Sequence, residues 1–150
     1  AIDNAHRIKG LGPNSWGMSA SISPSTGYSG HYGSHPIGHG HQLLEDGTVA
    51  PYGALSFLPF TPKESINALE YMYRIPGLVG KYGLYDAYSY HTQAKGDQPW
   101  IAKSYLGIDK GLVLLMFENY STQLIWKLLH QNAQIRKGFE MLQFEDKPSR

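Results

Sequence analysis

Apolar positions recur at helical spacing through the second half of the chain, whereas glycine and proline interrupt the first third. Fifteen Gly and Pro residues fall in 1–60, eight in 61–107 and three thereafter, so the pattern runs from loop-like to helical. Residues 49–58 hold Val49, Ala50, Tyr52, Ala54, Leu55, Phe57 and Leu58, apolar nearly all round. With Thr48 as cap and Pro59 as stop, they predict a short helix buried on every side. Thr61-Pro62-Lys63-Glu64 has the form of a capping box with proline at the first helical position, predicting a helix to Arg74 with Ile66, Leu69 and Tyr73 on one face. The alternation then repeats. A strongly apolar helix runs from Asp109 through Leu112 to Phe117, a more mixed one covers 122–131, and a last one near 133–142 places Ile135, Phe139 and Leu142 on one face. An all-round apolar helix followed by a one-faced helix, twice over, is the pattern of inner and outer helices stacked in a toroid. Two such pairs cannot close a ring. The expected fold is therefore all-α, with 48–145 helical and 10–47 a long Gly-rich loop region that has room for a short β-hairpin. Trp16, Tyr28 and Tyr32 argue against plain disorder there, because disordered segments are poor in aromatics.

Composition narrows the chemistry. A net charge of +1, from 13 Lys+Arg against 12 Asp+Glu, implies neither a nucleic-acid groove nor an acidic partner. No apolar run approaches the ~18 residues that would suggest a membrane span. The lack of cysteine removes disulfides, thiolate metal sites and cysteine nucleophiles. Nineteen aromatics, eleven of them tyrosine, stand against twenty-five charged groups. Such surfaces suit neutral polar ligands such as sugars, whose C–H faces stack on rings while their hydroxyls find hydrogen bonds. His31, His35, His39 and His41 fall within eleven residues and raise the question of a zinc or nickel site. Gly33, Pro36, Gly38 and Gly40 exclude the helix that would align them, so a loop histidine contacting sugar hydroxyls is the better reading. No metal or cofactor is expected.

The segments WGMSAS (16–21), GYSGHY (27–32), DGTVAPYGALSFLPFTPKES (46–65), KYGLYDAYS (81–89), WIAKSYLGIDKG (100–111) and LMFENYSTQLIWKL (115–128) resemble the glucoamylase-like domain family. That family includes bacterial endo-β-1,2-glucanases, and a related domain occurs inside cyclic β-1,2-glucan synthases. The resemblance covers about the whole chain. It implies part of an (α/α)6 toroid, the C-terminal portion of a longer domain, with a cleft for an oligo- or polysaccharide and a periplasmic or secreted setting. It also implies that the missing N-terminal part of the domain, or self-association, covers the faces left open. One departure matters: positions 19–23 read Ser-Ala-Ser-Ile-Ser, where the family pattern has an acidic residue after the Trp-Gly segment.

Glycosidic hydrolysis needs two carboxyl groups, ~5–5.5 Å apart for retention and ~6.5–9.5 Å for inversion. Asp109 and Glu118 both sit in family-like segments, but nine helical residues separate them by a rise of ~13.5 Å, so they cannot serve one bond. Asp109, at a helix start where the dipole favours the ionised form, reads as a general base or sugar-hydroxyl acceptor, or else as a capping residue. Asp86 reads as a cleft carboxylate among tyrosines or as a turn residue. Trp16, Tyr28, His31, Tyr82, Tyr85, Trp100 and Tyr105 lie in loops or at helix entries, where binding residues concentrate. The expected function is carboxylate-driven hydrolysis of β-glucan, most plausibly β-1,2-linked. The alternative is a non-catalytic carbohydrate-binding or structural remnant.

Overall fold

The computed structural model describes residues 10–32 and 46–144. In chain order these form β1 (Ser21–Ser23), β2 (Gly27–Ser29), β3 (Thr48–Val49), α1 (Pro51–Leu55), α2 (Pro62–Tyr73), β4 (Val79–Gly80), β5 (Gly83–Leu84), β6 (Ala87–Ser89), β7 (Trp100–Ala102), α3 (Gly107–Thr122), α4 (Leu124–Gln131) and α5 (Ala133–Met141). Strands β1 and β2 make an antiparallel hairpin, which Gly27 helps to close at a φ of 77°. Strands β4 and β5 make a two-residue ribbon, and β3, β6 and β7 form an antiparallel sheet with β6 at its centre.

These sheets overturn the all-α expectation: the chain is mixed α/β, and strands occupy much of the span between α2 and α3. Each strand has only two or three residues, too few for a period of two to register in the sequence. Thr48 is likewise no helix cap. It and Val49 pair with Ser89 and Tyr88, as suits β-branched side chains on a pleat, and α1 begins only at Pro51. The capping box before α2 does not form either. The Thr61 hydroxyl turns back to Phe57 O at 3.3 Å, although proline still opens the helix and Glu64 still sits in its first turn. Helix α2 buries Ser65, Ala68 and Met72, so the Ile66 and Tyr73 side chains are left exposed.

Met72 packs with Val49, Leu55, Leu78, Leu84 and Tyr88 in the core, over a β6 strand with every residue buried. The Tyr88 hydroxyl meets Ser15 Oγ at 2.8 Å, giving the most buried phenol a partner. Trp16 joins this core, and the loop that carries it lies flush on α1. Gly17 makes that approach possible: its φ is 126°, a Cβ there would meet Ala50 O at 2.6 Å, and the Ala50 N–H donates to Gly17 O at 2.8 Å. Helix α3 continues five residues past Phe117 and ends at Gln123, whose left-handed φ of 59° turns the chain into α4. Asn132 caps α5 by accepting from the N–H groups of Gln134 and Ile135.

Candidate active site

Asp86 sits in the turn between β5 and β6, where its own N–H donates to Ser104 O at 3.0 Å. Its side chain is buried, and Oδ2 accepts the Ile22 N–H of β1 at 2.7 Å. Asp109 is the third residue of α3 and is also buried, near enough to Asp86 for that carboxyl to act on it. Asp86 Oδ1 and Asp109 Oδ2 are buried without a hydrogen-bond partner among the described residues. Burial and then the Asp86 carboxyl push Asp109 up to about 7, against a smaller lowering by Lys110. The helix-dipole expectation of an ionised Asp109 is thereby corrected. A dipole contributes about 0.3–1 kcal/mol, less than one pH unit, and here the larger effects oppose it. The pair holds one proton near neutrality and can give it up. Two carboxyls that influence each other this strongly are read as one group of a site and not as the two that flank a glycosidic bond.

Around the pair, Lys110 donates to Leu84 O and lies 5.6 Å from the centre of the Tyr105 ring. Burial lowers its pKa while the Asp86 and Asp109 charges raise it. Tyr105 stacks obliquely on Tyr85 at 4.9 Å, meets Tyr82 edge-on at 5.4 Å, and accepts the Tyr82 N–H at its hydroxyl. Gly80 makes this crossing possible, because a Cβ there would collide with the hydroxyls of both Tyr105 and Tyr85. A groove of about 330 Å³ is lined by Tyr52, Tyr82 and Lys110 together with the apolar Leu55, Leu69 and Phe117.

The candidate residues are therefore only partly gathered. Tyr82, Tyr85 and Tyr105 come together, as do Asp86 and Asp109, and Lys110 lies near both groups. Tyr28 is exposed on β2, and the groups acting on the Tyr52 phenol include Tyr28, Asp86 and Asp109. Trp100 is half-buried in β7 opposite Ser89. Trp16 belongs to the core, its indole N–H unpartnered among the described residues, and His31 is exposed just past the hairpin. His35, His39 and His41 lie outside the described residues. Glu118 is half-buried and accepts from the Thr122 hydroxyl at 2.7 Å, while the buried amide of the segment is Asn119. Tyr52, Gly80, Lys110 and the Ile22 amide were not singled out from the sequence. A backbone donor leaves no residue signature, and Tyr52 was hidden among apolar neighbours.

A family model, Glycoamylase, matches residues 1–133. The chain belongs to the Glycoamylase family. A relative from Parabacteroides distasonis, an exo β-1,2-glucooligosaccharide sophorohydrolase acting at the non-reducing end, is 32% identical over 145 residues, 95% of this chain and 18% of its own length. The solved endo-β-1,2-glucanase of Chitinophaga pinensis, in complex with sophorotriose and glucose, is 35% identical with a TM-score of 0.72, over 93% of this chain and 30% of that one. A solved β-1,2-glucanase from Parabacteroides distasonis is 33% identical with a TM-score of 0.69, over 93% and 18%. This member of the Glycoamylase family thus spans less than a third of the length of these relatives.

Proposed function

We propose that this chain supplies one wall of a cleft that hydrolyses β-1,2-glucan, with Asp109 as proton donor to the glycosidic oxygen. The observation that carries this reading is the buried Asp86–Asp109 pair, which holds a proton near pH 7 beside a cluster of tyrosines. Asp86 keeps that proton on Asp109 by its nearby charge, as a general acid at neutral pH requires. Tyr82, the most open ring of the cluster, offers a face for a sugar ring, and Tyr85 and Tyr105 hold it in place. The relatives hydrolyse β-1,2-linked substrates, which makes that linkage the first to try. The carboxylate base that activates water comes, on this reading, from outside this chain, which covers less than a third of the relatives' length.

The test uses linear β-1,2-glucan, with reducing-sugar release and tryptophan fluorescence read in parallel on a protein that carries this chain within a complete domain of the family and on the same protein with Asp109→Asn. Release that falls at least a hundredfold in the variant supports the acid role. Release that is unchanged takes Asp109 away from the reacting atoms. Saturable binding with no release from either protein replaces hydrolysis by a sugar-binding role, and the absence of both binding and release refutes the reading.

A further inference from the structure

We propose that Tyr52 is the positioning residue of the carboxyl pair, holding strand β1 so that the Ile22 amide clamps Asp86 beside Asp109. This rests on the reading of the pair given above. The Tyr52 hydroxyl donates to Ala20 O at 2.9 Å and lies 2.6 Å from Ser19 Oγ. A phenol has one proton and a carbonyl only accepts, so the Ser19 hydroxyl completes the arrangement by donating back. Two residues beyond Ala20, the Ile22 N–H reaches Asp86 Oδ2 at 2.7 Å. Tyr52 therefore ties down the entry to the strand whose next amide but one grips the carboxylate.

The hairpin is short and is tied to the body of the protein at separate points: Tyr52 at its entry, Gln93 on Pro24 O at its turn, and Tyr32 on Asp46 just past it. Strands β1 and β2 have three residues each, and β2 faces solvent over two of them. An isolated two-stranded ribbon is marginal in water, so its placement depends on side-chain ties to the body of the protein. Helix α1, by contrast, is a firm anchor. Its Gly53 lies against the Gly17 backbone so closely that a Cβ would come within 3.2 Å of it, and Pro51, Ala54 and Leu55 are buried. Burial raises the Tyr52 phenol, as do Asp109, Tyr28 and Asp86, so it remains a protonated donor across the neutral range. The groups that act on Asp109 are Asp86 from the turn before β6 and Lys110 from α3 itself, while Asp109 in turn raises the Tyr52 phenol of α1. Tyr52→Phe keeps the ring and removes the tie. Asp86 is then free to draw away and water reaches Asp109, which weakens every influence that keeps the Asp109 proton in place.

The experiment is a carboxyl NMR titration of the whole chain with ¹³C-labelled aspartate. The Asp109 midpoint is expected near 7 in the unsubstituted protein. In Tyr52→Phe it is expected to fall by about one pH unit while the amide spectrum stays dispersed. An unmoved midpoint in a folded Tyr52→Phe chain overturns the positioning role. A starting midpoint in the ordinary carboxylate range instead overturns the carboxyl pair, and with it the proton-donor reading. Where Tyr52→Phe does not fold, Ser19→Ala removes one side of the tie: a smaller downward shift supports the proposal, and none overturns it.

Discussion

Helices α2 and α3 both carry apolar side chains along their length, yet only α2 buries any of them fully, beside Ser65. In α2, Ala68 and Met72 are fully buried against the sheet-containing core. In α3 the buried residues are Asp109 and Asn119, while Ile108, Leu112, Leu114 and Leu115 are exposed, Leu114 at 71%. Apolar periodicity thus marks a face that wants a partner and says nothing of whether the partner is present. The polar burial in α3 has identifiable partners. The hairpin and the turn at Asp86 close over its first turn, and Asn119 Oδ1 accepts the Trp126 N–H at 3.2 Å, joining α3 to α4 across the turn at Gln123.

The largest effect separating the two helices is expected from truncation. Met72→Ala should cost about 2–5 kcal/mol, the range for emptying a packed site, and Leu114→Ala no more than about 0.5 kcal/mol. Urea denaturation of both variants measures this, and equal costs would erase the distinction. Next comes the pH dependence that Asp109 imposes. Its carboxyl rises from 3.8 unfolded to about 7 folded, so the folded state binds that proton more tightly. The resulting stabilisation is complete below about pH 4 and disappears as pH rises through 7, with a ceiling of about 4 kcal/mol. Asp109→Asn should flatten this slope and melt above the unsubstituted chain at pH 8. Melting curves from pH 4 to 8 that run parallel would show that Asp109 is not the group responsible.

Helices were more legible in the sequence than sheets, for a physical reason. Pro62, Gln131 and Ala133 mark boundaries of α2, α4 and α5 close to where periodicity and proline place them, because these helices are long enough for local signals to accumulate. The strands owe their existence to pairing with distant segments: Val49 to Tyr88, Tyr88 to Ile101. Of the site, Asp86 and Asp109 could be named individually, but their proximity depends on the turn at 86 meeting the start of α3, and no spacing rule reports that. The direction of the Asp109 shift was misjudged for the same reason, since the dipole is local and the burial and the Asp86 charge are not.

The smallest expected change in stability is the one that bears most directly on the unpartnered face. Leu114 lines the groove between α2 and α3 with its side chain largely open, so Leu114→Lys should move the unfolding free energy by no more than about 0.5 kcal/mol. Its effect should appear in association. Exposed leucines on α3 and α4, together with Phe60 and Phe144, leave apolar surface that favours contact with another copy as concentration rises, and a lysine in the groove adds a charge that must be desolvated on contact. Sedimentation velocity over a concentration series is expected to show self-association for the unsubstituted chain and less of it for Leu114→Lys. A chain that stays monomeric throughout would mean that α3 tolerates its exposed leucines without a partner, and the contrast with α2 would then be one of burial alone.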